Sequence, residues 1–318
     1  MDLLKITDAE KKALKGRGLI LTNDGEHFIA RIVAPNGVFT NEQMQMVTDV
    51  ARKYGDGRVA LTVRLTIEIQ GIPYENLEPL CAEVEAAGLV TGGTGSIVRP
   101  IVACKGTVCV HGLFDTQAFA KRIYDEFFVG WHTVTLPHKF KIAVGGCPNS
   151  CMKPSLNDFG IEAHRLPVYD LEKCRGCKKC LVAERCPMRA VKVVDGKARV
   201  DKALCNDCGV CVEKCPFGVT PAVDEPVFAI FVGGTWGKHT RMGTRLSRYY
   251  KRGELDALVE KAILWFRENA FVKERLGAAI DRVGVDAFEA AIATDDLLLR
   301  KEVDQHHWRR YGDHIREH

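Results

Sequence analysis

The sequence predicts an α+β protein whose main part is interrupted by a small insert rich in cysteine. Over residues 18–92, strand-like and helical patterns alternate, with strands expected at 27–35 and 59–73 and helices at 41–53 and 74–87. Cysteines then occur in spaced groups, and an amphipathic helix with apolar residues three and four positions apart begins near residue 255. These patterns indicate two larger units, with a smaller unit inserted into the second.

The composition is that of a folded protein without a membrane span. Of 318 residues, 46% are hydrophobic and 27% are charged, which excludes an intrinsically disordered chain. No apolar run approaches the length of about 20 residues that spans a bilayer. The first residues are charged and lack the apolar stretch of a signal peptide, so we expect a cytoplasmic protein. A formal charge of +4 is too small to indicate a nucleic-acid partner.

Thirteen cysteines in a cytoplasmic chain indicate metal binding, because that compartment keeps thiols reduced. Twelve of them fall into spaced groups that divide into three sets of four. Cys81 is left over, and it lies on a helical apolar stripe, so we expect a buried structural thiol there.

Eight cysteines have the spacing of a two-cluster ferredoxin. Two triplets of the form C-x2-C-x2-C are each followed by a fourth cysteine and a proline, and in such proteins the fourth cysteine ligates the other cluster. Set one is therefore Cys174, Cys177, Cys180 and Cys215, and set two is Cys186, Cys205, Cys208 and Cys211. Zinc also binds C-x2-C pairs but does not require two such triplets. A hairpin with an Asp-Gly turn is expected between the triplets. Two clusters in one small module predict an electron relay, with the chemistry elsewhere.

Set three consists of the four remaining cysteines, Cys104, Cys109, Cys147 and Cys151. Two pairs of thiolates suggest a third [4Fe–4S] cluster, held by a different spacing from that of the ferredoxin segment. Zinc remains the alternative for this set.

The segment LPHKFKIAVGGCPNSC resembles the signature of sirohaem-dependent sulfite and nitrite reductases. The resemblance implies that set three ligates a [4Fe–4S] cluster and that Cys151 also bridges to the sirohaem iron. In this chain four residues separate Cys104 from Cys109, one fewer than in the family pattern.

Four cations match the active-site positions of that family. VALTVRLTIEIQGIP is similar to a family strand that supplies an arginine, here Arg64, and SIVRPIVAC supplies Arg99. We expect one alternating strand with Val63 and Leu65 on its buried face and Arg64 on its polar face. Lys139 and Lys141 match the family's paired lysines. Alone, each of these side chains would be read as solvated, but together they suit a small oxyanion whose oxygens leave as water.

The stretch FAIFVGGTWGKHTRMGTRLSRYY resembles the glycine-rich segment that runs beside the macrocycle in this family. The resemblance implies cofactor contacts from five residues, namely Gly233, Gly234, Lys238, Arg241 and Arg245. A nucleotide-binding loop is the competing interpretation, but no G-x-G-x-x-G motif follows a strand here.

The resemblance implies a layout that is most similar to the catalytic C subunit of anaerobic, assimilatory-type bacterial sulfite reductases. Its regions are a ferredoxin-like half-domain at 18–92, a sirohaem/[4Fe–4S] domain at 97–166 and 224–298, an inserted two-[4Fe–4S] ferredoxin module at 167–223, and a tail at 299–318. In the tail, His306, His307 and His314 could bind a metal, although a solvated, partner-binding segment is the commoner outcome.

The implied function is the six-electron reduction of sulfite to sulfide, with sirohaem and three [4Fe–4S] clusters as cofactors. Electrons would come from a separate donor, a ferredoxin or a flavin/iron–sulfur subunit. The alternatives are nitrite reduction to ammonia, a non-catalytic polyferredoxin electron carrier, and a sirohaem-binding protein without activity. Because larger family members contain two half-modules, we expect a homodimer in which Arg64, Arg99, Lys139 and Lys141 face the sirohaem bound to Cys151 of the other subunit.

Overall fold

A computed structural model describes residues 6–300 of the chain. Most of the predicted tail at 299–318, with its three histidines, lies outside the described residues. Among the helices of the described part, none combines the length and apolar character needed to cross a membrane.

The N-terminal unit is a five-stranded sheet covered by helices. Its elements are α1 (Asp8–Gly16), β1 (Leu19–Leu21), β2 (His27–Val33), α2 (Asn41–Tyr54), β3 (Val59–Leu61), β4 (Ile67–Pro73), α3 (Leu77–Ala86) and β5 (Val90–Thr91). The strand order is β1-β2-β4-β3. The fifth strand, β5, pairs with Ile32 and Val33 at the end of β2, beyond the residues that pair with β1. Thr40 caps α2 by accepting a hydrogen bond from the Gln43 N–H, and the Gln43 side chain accepts one from the Thr40 N–H. Cys81 is buried in α3, as predicted.

The prediction of one strand over 59–73 was wrong, because β3 and β4 form an antiparallel hairpin. Leu61 pairs with Ile67, and the five residues between them form the turn. Thr62 N–H donates to the Thr66 carbonyl over 2.9 Å, and Leu65 adopts a left-handed conformation with φ of 56°. Val63 is consequently 96% exposed rather than buried. Alternation fails here because the chain reverses within the apparent run, so Arg64 lies at a hairpin tip.

The central unit begins with three parallel strands, and the cysteines of set three follow the first two of them. Its first elements are β6 (Val102–Ala103), α4 (Thr116–Ile123), β7 (Ile142–Gly145) and β8 (Phe159–His164). α4 continues into a π-helical turn at Tyr124–Val129. β7 lies between β6 and β8, and all of its residues are buried, as in parallel sheets covered on both faces.

The insert is a small unit with its own core. It contains α5 (Leu181–Arg185) and the hairpin of β9 (Val191–Val194) and β10 (Lys197–Val200). Asp195 and Gly196 both have positive φ at the hairpin turn, as the Asp-Gly signal predicts. Val182, Val191 and Ala198 pack together with Cys211.

After the insert the chain returns to the central sheet and ends in helices. These elements are β11 (Val227–Val232), β12 (Thr244–Arg245), α6 (Leu255–Asn269), α7 (Leu276–Val283), α8 (Val285–Ala293) and α9 (Asp296–Leu299). β11 is antiparallel to β8, which completes the order β12-β11-β8-β7-β6. The predicted apolar stripe of α6 is buried, and Phe266 packs on Phe140 with ring centroids 5.9 Å apart.

One buried side chain joins the N-terminal and central units. Asn36 follows β2 with φ of 57°, and its Oδ1 accepts a hydrogen bond from the Ala103 N–H over 2.7 Å. A buried, satisfied amide fixes orientation because an unpaired one would be costly. The Arg64 hairpin is thereby positioned against the strand that leads to Cys104.

The hairpin makes a stability prediction. Val63→Ala should change the free energy of unfolding by less than about 0.5 kcal/mol, because the side chain is exposed. Ile69→Ala, on the buried face of β4, should lower it by about 2–5 kcal/mol. Chemical denaturation monitored by circular dichroism measures both. An equal decrease in the free energy of unfolding for the two variants would indicate that Val63 is buried in a single strand and would contradict the hairpin.

Candidate functional site

Set three lies where two adjacent parallel strands end. Cys104 follows β6 directly, and Cys147 follows β7 after Gly146. Because β6 and β7 are parallel, their carboxyl ends meet at one edge of the sheet, the usual position of ligand sites in such sheets. Cys109 ends a short 3-10 turn at Gly106–Val108.

The two cysteine loops touch through glycine. Gly146 N–H donates to the Cys104 Sγ over 3.2 Å, and its carbonyl accepts from the Leu113 N–H over 3.0 Å. A Cβ at Gly146 would stand 3.1 Å from the Gly106 Cα and 3.3 Å from the Cys104 Sγ. A side chain at this position would require the neighbouring atoms to shift, so Gly146 permits the close approach of the two loops.

The thiols of set three lie close enough to affect the pKa of Cys147. Burial raises the pKa of Cys147, and the thiol groups of the other three members raise it further. Cys151 is exposed, whereas the other three are half-buried. Within residues 6–300, no three Cys, His, Asp or Glu side chains gather closely enough to hold a single metal ion. Four thiolates of a cubane each bind a different iron and stand farther apart, and the donor set of four thiols fits such a cluster.

Five cations lie together at the opposite edge of the central sheet, around the residues that precede β6, β7 and β8, and we call them the cation cluster. Its members are Arg64, Arg99, Lys139, Lys141 and Arg275. Burial lowers the pKa of Lys141 to about 8, and Arg64, Lys139 and Arg275 lower it further. The Lys139 pKa is lowered by burial and by two of the arginines. The structure thus brings all four sequence-predicted cations together and adds Arg275.

One buried carboxylate holds the cation cluster. Asp158 is fully buried, and the Arg275 guanidinium donates to both of its oxygens, with Nη2 at 2.8 Å from each. The Lys141 backbone N–H also donates to it over 2.9 Å. Burial raises the pKa of Asp158, and its ion pair with Arg275 opposes the rise. Asp158 and Arg275 were missed at the sequence level, because they are 117 residues apart and belong to no spaced motif.

The two predicted arginines are anchored by backbone carbonyls. Arg64 donates to the Pro100 and Ile142 carbonyls and, over 2.9 Å, to the Asn157 Oδ1. Arg99 donates to the carbonyls of residues 93 and 95. Burial lowers the pKa of each arginine to about 10. Both therefore hold a fixed positive charge, and Arg64 also joins the N-terminal unit to the central unit.

The two lysines are the members with free donors. Phe140, which lies between them, is fully buried, whereas both lysines are partly exposed. Within the described residues, neither ammonium group makes a hydrogen bond or an ion pair. His138 completes this edge: its Nδ1 accepts from the Lys139 N–H, and burial among the cations lowers its pKa to about 4. An excess of unpaired positive charge fits an oxyanion or a cofactor with several carboxylates.

The glycine-rich stretch packs on the loop between Cys151 and Asp158. Gly233 N–H donates to the Asp158 carbonyl over 2.8 Å, and Gly234 N–H donates to the Asn157 carbonyl over 2.9 Å. A Cβ at Gly234 would stand 2.4 Å from the Ser155 carbonyl oxygen. These two glycines allow close backbone packing beside the site.

The three charged residues predicted in the same stretch are placed differently. Arg241 is committed to Asp281, with its Nη2 at 2.6 Å from the Asp281 Oδ1. Arg245 lies over the Tyr249 ring at 4.5 Å, and Lys238 is exposed. Their predicted contacts with a macrocycle stay predictions.

Each ferredoxin set surrounds a cavity of its own. One cavity is lined by Cys174, Cys177, Cys180 and Cys215, and the other by Cys186, Cys205, Cys208 and Cys211. This is the crossed grouping derived from the spacing. Backbone N–H groups point at the sulfurs, as at iron–sulfur ligands: Ala198 donates to Cys174 and Ala190 to Cys186. Hydrogen bonds from the backbone N–H groups of Gly176 and Ala198 lower the pKa of Cys174.

Several sulfite reductases are similar to this chain. The coenzyme F420-dependent sulfite reductase of Methanocaldococcus jannaschii is 31% identical over 283 residues, which are 88% of this chain but only 44% of that protein. The C subunit of the anaerobic sulfite reductase of Salmonella typhimurium is 28% identical over 80% of this chain and 76% of its own length. The crystal structure of dissimilatory sulfite reductase I has the same fold, with a TM-score of 0.68 and 22% identity over 84% of this chain and 69% of that one.

Two family models match consecutive parts of the chain. Residues 20–87 match the nitrite/sulfite reductase ferredoxin-like half domain, which contains Arg64. Residues 94–297 match the nitrite and sulphite reductase 4Fe-4S domain, which contains set three and the rest of the cation cluster. The second match covers well over half of the chain. The chain therefore belongs to the sirohaem-dependent nitrite and sulphite reductase family.

Proposed function

We propose that this chain catalyses the six-electron reduction of sulfite to sulfide. Two unpaired ammonium groups, those of Lys139 and Lys141, are held among three arginines in a chain that also carries a four-thiol set, and this combination supports the proposal. Such a site binds a small oxyanion and can donate protons to it. The sulfite reductases among its relatives support the choice of substrate.

The residues present would hold the cofactors as follows. Set three would ligate a [4Fe–4S] cluster, with the exposed Cys151 also ligating sirohaem, and the bound unit would supply the electrons of the reaction. The cation cluster would bind the substrate and the carboxylates of the macrocycle. Arg64 and Arg99 would serve as fixed charges, because carbonyls already orient them.

The lysines would supply protons. Converting hydrogen sulfite to hydrogen sulfide ion breaks three S–O bonds and consumes six protons with the six electrons, and each oxygen leaves as water. A proton donor works best when its pKa is near the working pH, and the Lys141 Nζ has a pKa of about 8. Lys139, whose pKa is lowered by the same neighbours, would share this task.

The insert would act as the electron relay. We propose that residues 167–223 form a module with two [4Fe–4S] clusters, one in each cysteine-lined cavity, which brings the total to three. The N–H groups directed at the sulfurs support this assignment. Electrons would come from a separate donor protein.

A cysteine substitution tests the assignment of the site. Cys151→Ser should abolish sulfite-dependent oxidation of reduced methyl viologen and the sirohaem absorption bands, because it removes the thiol that would hold the cofactor. Cys81→Ala, which changes a buried thiol outside the three sets, should retain both. Turnover of nitrite but not sulfite by the unsubstituted chain would assign it to nitrite reduction. A Cys151→Ser variant that keeps its bands and turnover would contradict the role of this thiol.

The Lys141 ammonium predicts a pH dependence. A step that needs the protonated form is fully supported below the pKa of about 8 and is lost as the pH rises through it. Lys141→Arg keeps its proton to a much higher pH, so the alkaline limb near pH 8 should move upward. Viologen-linked sulfite turnover from about pH 6 to about pH 10 measures both profiles. The ionisation of the substrate is common to the two proteins, so coincident alkaline limbs would exclude Lys141 as the titrating donor.

We propose that the chain works as a homodimer in which the cation cluster of one subunit faces the sirohaem of the other. A mixed dimer of Arg64→Ala and Cys151→Ser chains should then retain one intact site and about half of the activity. If each site is built within one chain, the same mixed dimer should be inactive. Differently tagged protomers purified in two affinity steps provide the sample, and wild-type chains carrying the two tags are the control.

A further inference from the structure

The two ferredoxin cavities differ in how they contact the rest of the molecule. At set two, the Asn206 carbonyl lies 3.0 Å from the Nδ1 of the buried His164, and the Asp207 carbonyl accepts from the Arg165 N–H over 3.0 Å. The Tyr249 hydroxyl donates to the Asp207 Oδ2 over 2.8 Å. His164 and Tyr249 belong to the central unit, so set two is anchored on it.

Set one is held by the insert itself. The Lys197 ammonium donates hydrogen bonds to the Leu171 and Cys174 carbonyls. The Ala198 N–H donates to the Cys174 Sγ. The Asp170 N–H donates to the Val219 carbonyl and closes the same region. All of these residues lie between 167 and 223. Of the two sets, set two is therefore the inner one and set one the outer one.

The outer cavity has a charged and apolar rim. Its lining includes the exposed Arg175 and Lys179 together with Leu181 and Phe217, which are 43% and 36% exposed. The Arg175 guanidinium lies over the Phe217 ring at 4.3 Å. The lining of the inner cavity contains no charged residue among those described.

The positive charge of the chain is concentrated in the insert. Between residues 167 and 223, eleven lysines and arginines stand against seven aspartates and glutamates, and this excess of four equals the formal charge of the whole chain. Within the described residues, Arg175 and Lys178 pair with no carboxylate, and Lys179 approaches Glu184 only to 3.9 Å. Unpaired cations around an apolar centre are the usual composition of a surface that binds an acidic protein.

We infer that the surface formed by Arg175, Lys178, Lys179, Leu181 and Phe217 is the docking site of an acidic electron-carrier protein, and that electrons enter at set one and pass inward through set two. This inference rests on the proposed relay function of the insert. Electrostatic attraction would bring the carrier to the outer cluster, and the apolar residues would provide close contact around the cysteines.

The test is a charge reversal with a matched control. Lys178→Glu/Lys179→Glu reverses two charges at the proposed surface. Lys12→Glu/Arg52→Glu makes the same change on exposed helices of the N-terminal unit. Each iron-loaded chain is mixed in a stopped-flow instrument with a reduced, strongly acidic [2Fe–2S] ferredoxin and, separately, with reduced methyl viologen. Bleaching of the cluster absorbance gives the two reduction rates without requiring sulfite.

The expected result is that the ratio of ferredoxin rate to viologen rate falls about tenfold in the surface variant and stays unchanged in the control. This difference should vanish at high salt, because screening removes long-range attraction. Equal ratios in the two variants would overturn the docking site. Lys178→Gln/Lys179→Gln, which should show a smaller decrease, provides the measurement if the reversed variant does not load iron. Failure of sulfite turnover with normal bleaching would contradict the proposed reaction and leave the docking site standing.

Discussion

The ion pair between Asp158 and Arg275 organises the site. Asp158 lies immediately before β8 and is fully buried, and its side chain binds the Arg275 guanidinium and the Lys141 backbone together. Burying one carboxylate is costly unless charged partners satisfy it, and here it is surrounded by five cations. Because a single carboxylate cannot neutralise them all, the site retains excess positive charge. Together with burial, this unneutralised charge lowers the pKa of Lys141 to about 8, and it would attract an anionic substrate.

The sheet topology places the thiols and the cations at opposite edges of the central sheet. β6, β7 and β8 are parallel, so the loops after β6 and β7 both carry cysteines at one edge. The loop from Cys151 to Asp158 then leads directly into β8, with Gly233 and Gly234 packed against it. Short backbone segments at the ends of rigid strands therefore position both groups, with the cation cluster at the edge opposite set three. Such support from rigid elements is what preorganised sites require.

The sequence predicts features that depend on local spacing and misses those that depend on distant contacts. The cysteine sets, the Asp-Gly hairpin of the insert and the stripe of α6 are each read from residues close together in the chain. The β3–β4 hairpin was missed because Thr62 and Thr66 are not strong turn residues and the run alternates through the turn. Arg275 could not be found without an alignment, since only the fold brings it to Asp158.

The proposed function requires that three sets of four thiols hold clusters and that Cys151 binds a sirohaem. An anaerobic absorption spectrum of the purified chain, with iron and acid-labile sulfide determined on the same sample, tests it most directly. We expect Soret and Q bands of sirohaem and about 13 iron atoms per chain, three cubanes plus one haem iron. A spectrum with cluster absorption alone, which persists after reconstitution with sirohaem, would contradict the reductase and leave an electron carrier.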